Sequence, residues 1–152
     1  MPIAIGCDHG GFPLKARVRA VIEASGETVV DCGTDSGDCA VDYPDYARHV
    51  GAAILAGKVD RGVLICGSGV GISVAANKIP GIRAAICHDT YSAHQGVEHD
   101  AMNVLCLGAR IIGDELAGEI LKAFLAAKFT QEERHVRRLN KVLEIERAGG
   151  LL

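Results

Sequence analysis

Residues 61–78 read RGVLICGSGVGISVAANK. A short apolar run, Val63-Leu64-Ile65, ends in Cys66, and Gly67, Gly69 and Gly71 then alternate with Ser68 and Val70 before a helical pattern begins. That order puts a thiol at the carboxyl end of a buried strand, beside a bare backbone loop and a helix N terminus. Unpaired N–H groups and the helix dipole make such a loop an anion site. The same field favours thiolate over thiol. An activated sulfur and an oxyanion cradle therefore share one corner of the chain. Other glycine-loop chemistries fit less well. A dinucleotide fingerprint needs Gly or Ala where Ile72 stands and normally occupies the first strand–helix turn, although Asp89 lies at a suitable distance for a ribose contact. A cysteine-phosphatase loop requires Arg at position 72, and a P-loop ends in Gly-Lys-Ser/Thr, which this stretch lacks. A turn made of glycine only for close packing is the bland alternative.

Three further groups carry chemistry. Asp8-His9-Gly10-Gly11 follows the first apolar run; a neutral histidine there orients a hydroxyl, and a protonated one binds phosphate. His99 lies in QGVEHD, at the end of a predicted helix, as an available acid–base group. His88, His94 and His99 raise the question of a metal, but positions 94 and 99 are poorly aligned on one helix face, and no metal site is expected. Arg134 and Arg138, in RHVRR, stand i and i+4 and project from one helix face. Two guanidiniums so placed form a fork suited to a phosphate dianion, which Arg110, just past the last strand, is placed to join. Against this, a charge run beside Glu132 and Glu133 is often only a solvated helix face.

These residues need elements to hold them. Strands are predicted at residues 3–6, 27–32, 63–66, 82–87 and 104–107. Helices are predicted at 12–25, 45–57, 71–79, about 92–99, 114–129 and about 131–147, with a polar loop over 33–44. Apolar strands that each cross over through a helix imply a parallel sheet covered on both faces. With right-handed crossovers the expected fold is α/β: a Rossmann-like three-layer α/β/α sandwich on a five-stranded parallel sheet. No repeat or linker divides the chain, so residues 1–152 read as one domain ending in a C-terminal helix. Ligands of such sheets sit beyond the carboxyl ends of the strands. The polar residues there are Asp8-His9, Gly33-Thr34, Gly67-Ser68, His88-Asp89 and Gly108 to Arg110.

Composition narrows the classes. At 152 residues the chain supports a full core, and with 49% hydrophobic but 4% aromatic residues that core must be Val, Ile, Leu and Ala. A net charge of −3 gives no case for nucleic acid or an anionic membrane surface. No apolar run approaches the roughly 20 residues of a membrane span. MPIAIG at the start reads as a strand and not a signal peptide, so the expectation is a cytoplasmic protein. The six cysteines form no C-x-x-C pair, which disfavours zinc-ribbon and thioredoxin readings. Apart from Cys66 they read as small buried apolar residues, without disulfides.

With these residues assembled, the chain resembles the ribose-5-phosphate isomerase B family, which also contains isomerases of other aldose phosphates. The resemblance rests on GCDHGGFPLK at 6–15, DYPDYA at 42–47, GVLICGSGVGISVAANKIPGIRAA at 62–85, EHDAMNVLCLGARIIG at 98–113 and RHVRR at 134–138. It implies that Cys66 is the base that moves a proton between C1 and C2. Gly67, Ser68, Gly69, Val70 and Gly71 would hold the enediolate oxygens, and Asp8 and His9 would contact the sugar and its phosphate. His99 would assist ring opening, while Arg110, Arg134 and Arg138 would grip the phosphate. It further implies a homodimer, or a tetramer of dimers, with sites at the subunit interface and no cofactor. Where many members have Asn, this chain has Asp100, which as a carboxylate only accepts hydrogen bonds and leaves sugar preference open. The expected reaction interconverts ribose 5-phosphate and ribulose 5-phosphate. Alternatives are isomerisation of allose 6-phosphate, galactose 6-phosphate or a tetrose phosphate, or a non-catalytic sugar-phosphate or nucleotide-binding module. A pure binder has no use for both Cys66 and His99. Aldose–ketose interconversion needs one base, an oxyanion clamp and a phosphate handle, and these residue types supply all three.

Overall fold

Apolar runs alternating with amphipathic segments become strands and helices in a computed structural model that describes residues 2–150. The order is β1 (Ile3–Cys7), α1 (Phe12–Ala24), β2 (Val29–Asp31), α2 (Tyr43–Leu55), β3 (Arg61–Cys66), α3 (Val70–Ala76), β4 (Ala84–Ile86), α4 (Thr90–Asp100), β5 (Val104–Gly108), α5 (Asp114–Ala126) and α6 (Glu133–Arg147). The five strands pair in parallel in the order β2-β1-β3-β5-β4. This is the expected Rossmann-like three-layer arrangement.

The period of two along each strand divides the core. Ile3, Ile5, Val63, Ile65, Leu105 and Leu107 face α1, α4 and α5. Ala4, Leu64, Cys66, Val104 and Cys106 face α2 and α3. The inner strands β1, β3 and β5 are buried on both faces, whereas the outer β2 and β4 are short and partly exposed. α6 adds no strand and packs lightly, against α4.

Element ends differ from the sequence expectation where capping chemistry intervenes. α2 begins at Tyr43 rather than 45, because Pro44 falls in the first turn, where a missing N–H costs no helical bond. α5 stops at Ala126 rather than near 129. There Arg61 on β3 donates to the Phe124 and Ala127 carbonyls, each at 2.6 Å, and so satisfies the orphan acceptors of the helix end. β2 and β4 shorten to three residues each, since an edge strand pairs on one side only.

Crossovers α1 and α2 leave β1 and β2 on opposite faces, so β1 and β3 flank the point where the chain reverses its direction across the sheet. A crevice opens beyond their carboxyl ends, where such folds bind ligands.

Candidate active site

Cys66 is the last residue of β3 and Asp8 the first after β1. Asp8 donates its N–H to the Ile65 carbonyl (3.3 Å), which joins the two strand ends. Its buried carboxylate accepts the Gly11 N–H through Oδ1 at 2.9 Å. Gly11 must be glycine for space: a Cβ there would stand 2.1 Å from the Ile65 carbonyl oxygen. The β1–α1 turn therefore lies directly on the strand that ends in Cys66.

The glycine loop wraps the sulfur. Gly69 adopts φ +82, a left-handed conformation suited to glycine, and its N–H donates to Cys66 Sγ at 3.1 Å. Ser68 Oγ accepts the Val70 N–H at 3.2 Å, a local turn just before α3 begins. The loop is clamped from β5: the Ala109 N–H donates to the Cys66 carbonyl and the Arg110 N–H to that of Gly67, both at 2.9 Å. The Arg110 guanidinium lies over Gly67, where a Cβ would meet Nη1 at 3.2 Å. Together Asp8, Cys66, Gly67, Ser68, Gly71 and Arg110 line an open cavity of about 340 Å³.

Surroundings set Cys66 apart from the other cysteines. Burial pushes the Cys7 and Cys87 thiols up to about 11, and it raises Cys106 as well. These three are thiols packed in the core, as expected from their place on strands. Contrary to the sequence expectation of burial, Cys39 is exposed on the loop after β2 and Cys32 is only partly buried, because neither lies on an inner strand. Cys66 sits at the cavity with a backbone donor on its sulfur.

His9 follows Asp8 in the chain and is half-buried. Its Nδ1 accepts the Val41 N–H at 3.2 Å, which leaves the ring proton on Nε2 as a donor. That bond ties the β1–α1 turn to the loop before α2. His88, past β4, accepts the Gly108 N–H on Nε2 at 3.0 Å and supports the strand end behind the glycine loop.

The remaining predicted residues lie elsewhere. α4 starts beyond the carboxyl end of β4 and runs back along the sheet. Its 11 residues, at about 1.5 Å each, carry His99 and Asp100 to the opposite edge. His99 stacks there on His135 of α6, with ring centroids 4.1 Å apart. Arg134 and Arg138 are on the same helix, Arg134 paired with Glu132 at 3.0 Å. Asp100 borders a separate hollow of about 740 Å³ between β4 and the C-terminal part of α6. Within one chain, then, the fold assembles Asp8, His9, Cys66, the glycine loop and Arg110 at one edge, and His99, Asp100, Arg134 and Arg138 at the other.

Sequence reasoning passed over Tyr43 and Ile111, which also line the cavity. The Tyr43 ring lies against Gly71, where a Cβ would come within 2.8 Å of it. The only sequence signal was the DYPDYA segment, in which Pro44 disguised the start of a helix.

A strand-end thiol wrapped by a glycine loop at the reversal point of a parallel sheet defines a small-molecule enzyme of the Rossmann-like class. The particular family follows from comparison: residues 3–142 match the Ribose/Galactose Isomerase family, and the chain belongs to it. It is 47% identical over 144 residues to ribose-5-phosphate isomerase B of Escherichia coli, with 95% of each chain covered. It is 45% identical over 130 residues to D-erythrulose-4-phosphate isomerase of Pectobacterium atrosepticum, with 85% of each covered. The structure of Clostridium thermocellum ribose-5-phosphate isomerase B superposes with a TM-score of 0.94 at 45% identity, covering 99% of this chain and 100% of that one. No helix among the described residues is long and apolar enough to cross a membrane.

Proposed function

We propose that this chain is one sugar-phosphate isomerase domain that interconverts ribose 5-phosphate and ribulose 5-phosphate without a cofactor. The observation that carries the reading is Cys66 Sγ at a cavity wrapped by the glycine loop, in a chain of the Ribose/Galactose Isomerase family. The Cys66 thiolate removes the C2 proton of the open-chain aldose, and the electron pair moves into an enediolate. Loop N–H groups from Gly67 to Gly71 hold the developing oxyanion, the kind of preorganised donor that supplies a large electrostatic share of catalysis. The hydroxyl proton passes from O2 to O1, and the carbon proton returns from Cys66 to C1 to give the ketose. Asp8 holds the sugar hydroxyls, and His9 Nε2–H and Arg110 donate to the substrate.

The second half of the site comes from another copy of the chain. A cyclic aldose needs an acid–base group at its anomeric oxygen, and the phosphate needs cations. His99, Asp100, Arg134 and Arg138 supply these, but they stand at the far edge of their own chain. A two-fold dimer sets one chain's far edge against its partner's Cys66 crevice and makes two equal sites. Large exposed apolar residues, among them Val70, Val74, Ile86, Tyr91 and Ile111, suit such a contact. Six free thiols fit a reducing, cytoplasmic setting.

Similarity to the D-erythrulose-4-phosphate isomerase favours a second reading, a tetrose phosphate as substrate. Such a sugar cannot close a furanose through its phosphorylated oxygen and needs no ring opening, so a role for His99 favours the pentose.

The test follows the proton. In D2O the wild type should place deuterium at C1 of ribulose 5-phosphate, whereas Cys66→Ala should bind substrate with near-total loss of exchange and turnover. Iodoacetamide inactivation should be blocked by sugar phosphate even though the exposed Cys39 also reacts. Wild-type turnover by Cys66→Ala refutes the mechanism, and a metal-restorable loss after chelation refutes the cofactor-free reading.

A further inference from the structure

α6 is solvated along most of its length, and His135 is its buried residue, at 1% exposure. A buried imidazole needs partners for its polar atoms. Nδ1 lies 2.7 Å from Thr130 Oγ1. The ring face covers His99, with centroids 4.1 Å apart and planes 26° from parallel. Thr130 is itself held, since its N–H donates to the Glu98 carbonyl of α4 at 3.1 Å and its Oγ1 accepts the Glu132 N–H at 3.4 Å. Between them Gln131 takes φ +58, a conformation uncommon for a residue with a side chain. The turn thus keeps a strained residue at the point that sets Thr130 against His135.

The charged groups around this ring are Arg134 and Arg138 on its own helix, Glu132 in the turn and His99 on α4. Burial first, then His99, Arg134 and Arg138, push the His135 pKa below its ordinary value, and Glu132 opposes them. The charged form of the ring is therefore disfavoured. The neutral ring can lie flat on His99 without repelling the protonated form that ring opening requires.

We infer that His135, anchored by Thr130, is a positioning residue that holds the His99 imidazole in the orientation from which it acts on the sugar ring. The inference rests on the ring-opening role of His99 proposed above. His99 is the penultimate residue of α4, just before Ala101 leaves the helix with φ +51. A side chain at a helix end has few neighbours to fix its rotamer, and the His135 face supplies one. Misplacing an acid–base group by about 1 Å costs on the order of 100-fold in rate, so the stack has a kinetic consequence beyond packing.

The experiment compares His135→Ala, His135→Phe, His99→Asn and the double variant His99→Asn/His135→Ala. Two readouts are used: turnover of ribose 5-phosphate, and C1 deuterium exchange from ribulose 5-phosphate. His135→Ala should lower kcat from ribose 5-phosphate roughly 10- to 100-fold while the Michaelis constant and the C1 exchange change little. His135→Phe, which keeps a flat ring on His99, should recover most of that loss. The double variant should be no slower than His99→Asn alone. In NMR the ring-proton shifts of His99 should move in the Ala variant and stay near wild type in the Phe variant. If His135→Ala does not fold, His135→Gln, which retains a partner for Thr130 but no ring, serves in its place. A further rate loss in the double variant, or Phe no better than Ala, overturns the inference. A slow His99→Asn beside a fast His135→Ala overturns it alone. A fast His99→Asn overturns the ring-opening reading and this inference together.

Discussion

Mixing two inactive variants should restore activity, and the restored fraction follows from the topology. Cys66 closes β3 at the carboxyl edge of the sheet. His99 is reached only by running the length of α4 the other way, a rise of roughly 14 Å from Thr90, which exceeds the span of an imidazole side chain. On the proposed mechanism, each complete site then takes Cys66 from one chain and His99 from another. Let Cys66→Ala and His99→Asn chains be mixed equally, unfolded together and refolded. A site receives a functional Cys66 with a chance of about one half and a functional His99 from its neighbour with the same chance. About a quarter of the sites are then wild type, whether the assembly is a dimer or a tetramer of dimers. Turnover of ribose 5-phosphate should rise to about a quarter of the wild-type value in the refolded mixture. Each variant refolded alone should stay at its own low rate. If both groups acted from the same chain, no site in the mixture would hold both, and activity would remain at the average of the parents. That outcome, with mixed oligomers demonstrated by mass spectrometry, refutes the shared site.

Two other substitutions test separate parts of the architecture. If Arg134 and Arg138 grip the phosphate as proposed, each Arg→Ala change removes a charge-assisted hydrogen bond worth about 1.5–3 kcal/mol, so the Michaelis constant for ribose 5-phosphate should rise about 10- to 150-fold; unchanged kinetics would leave these residues as a solvated helix face. Gly11→Ala forces a Cβ to within 2.1 Å of the Ile65 carbonyl oxygen. It should cost about 1–3 kcal/mol in urea unfolding and lower kcat, because the atom that must yield belongs to the strand carrying Cys66.

Much of this protein is written in local pattern. Apolar runs of strand length, helical periodicity between them and the glycines after Cys66 are short-range signals, and each acts through neighbours in the chain. They suffice for the parallel sheet, for a thiol at a strand end and for the polar residues beyond β1 and β3. The pairing of Arg134 with Arg138 on one face is local too, since it depends only on helical pitch. What remained hidden depends on contacts between distant segments. Nothing near residue 104 indicates that β5 inserts between β3 and β4; that order is decided by which buried faces fit together. The separation of His99 from Cys66 follows from the direction of α4 relative to the sheet, a property of the assembled layers. Tyr43 joins the cavity because α2 docks with its first turn against Gly71, and His135 meets His99 because α6 folds back on α4. A sequence names the chemical groups and the elements that carry them, but only packing decides which groups meet, because burial rewards complementary surfaces regardless of their distance along the chain.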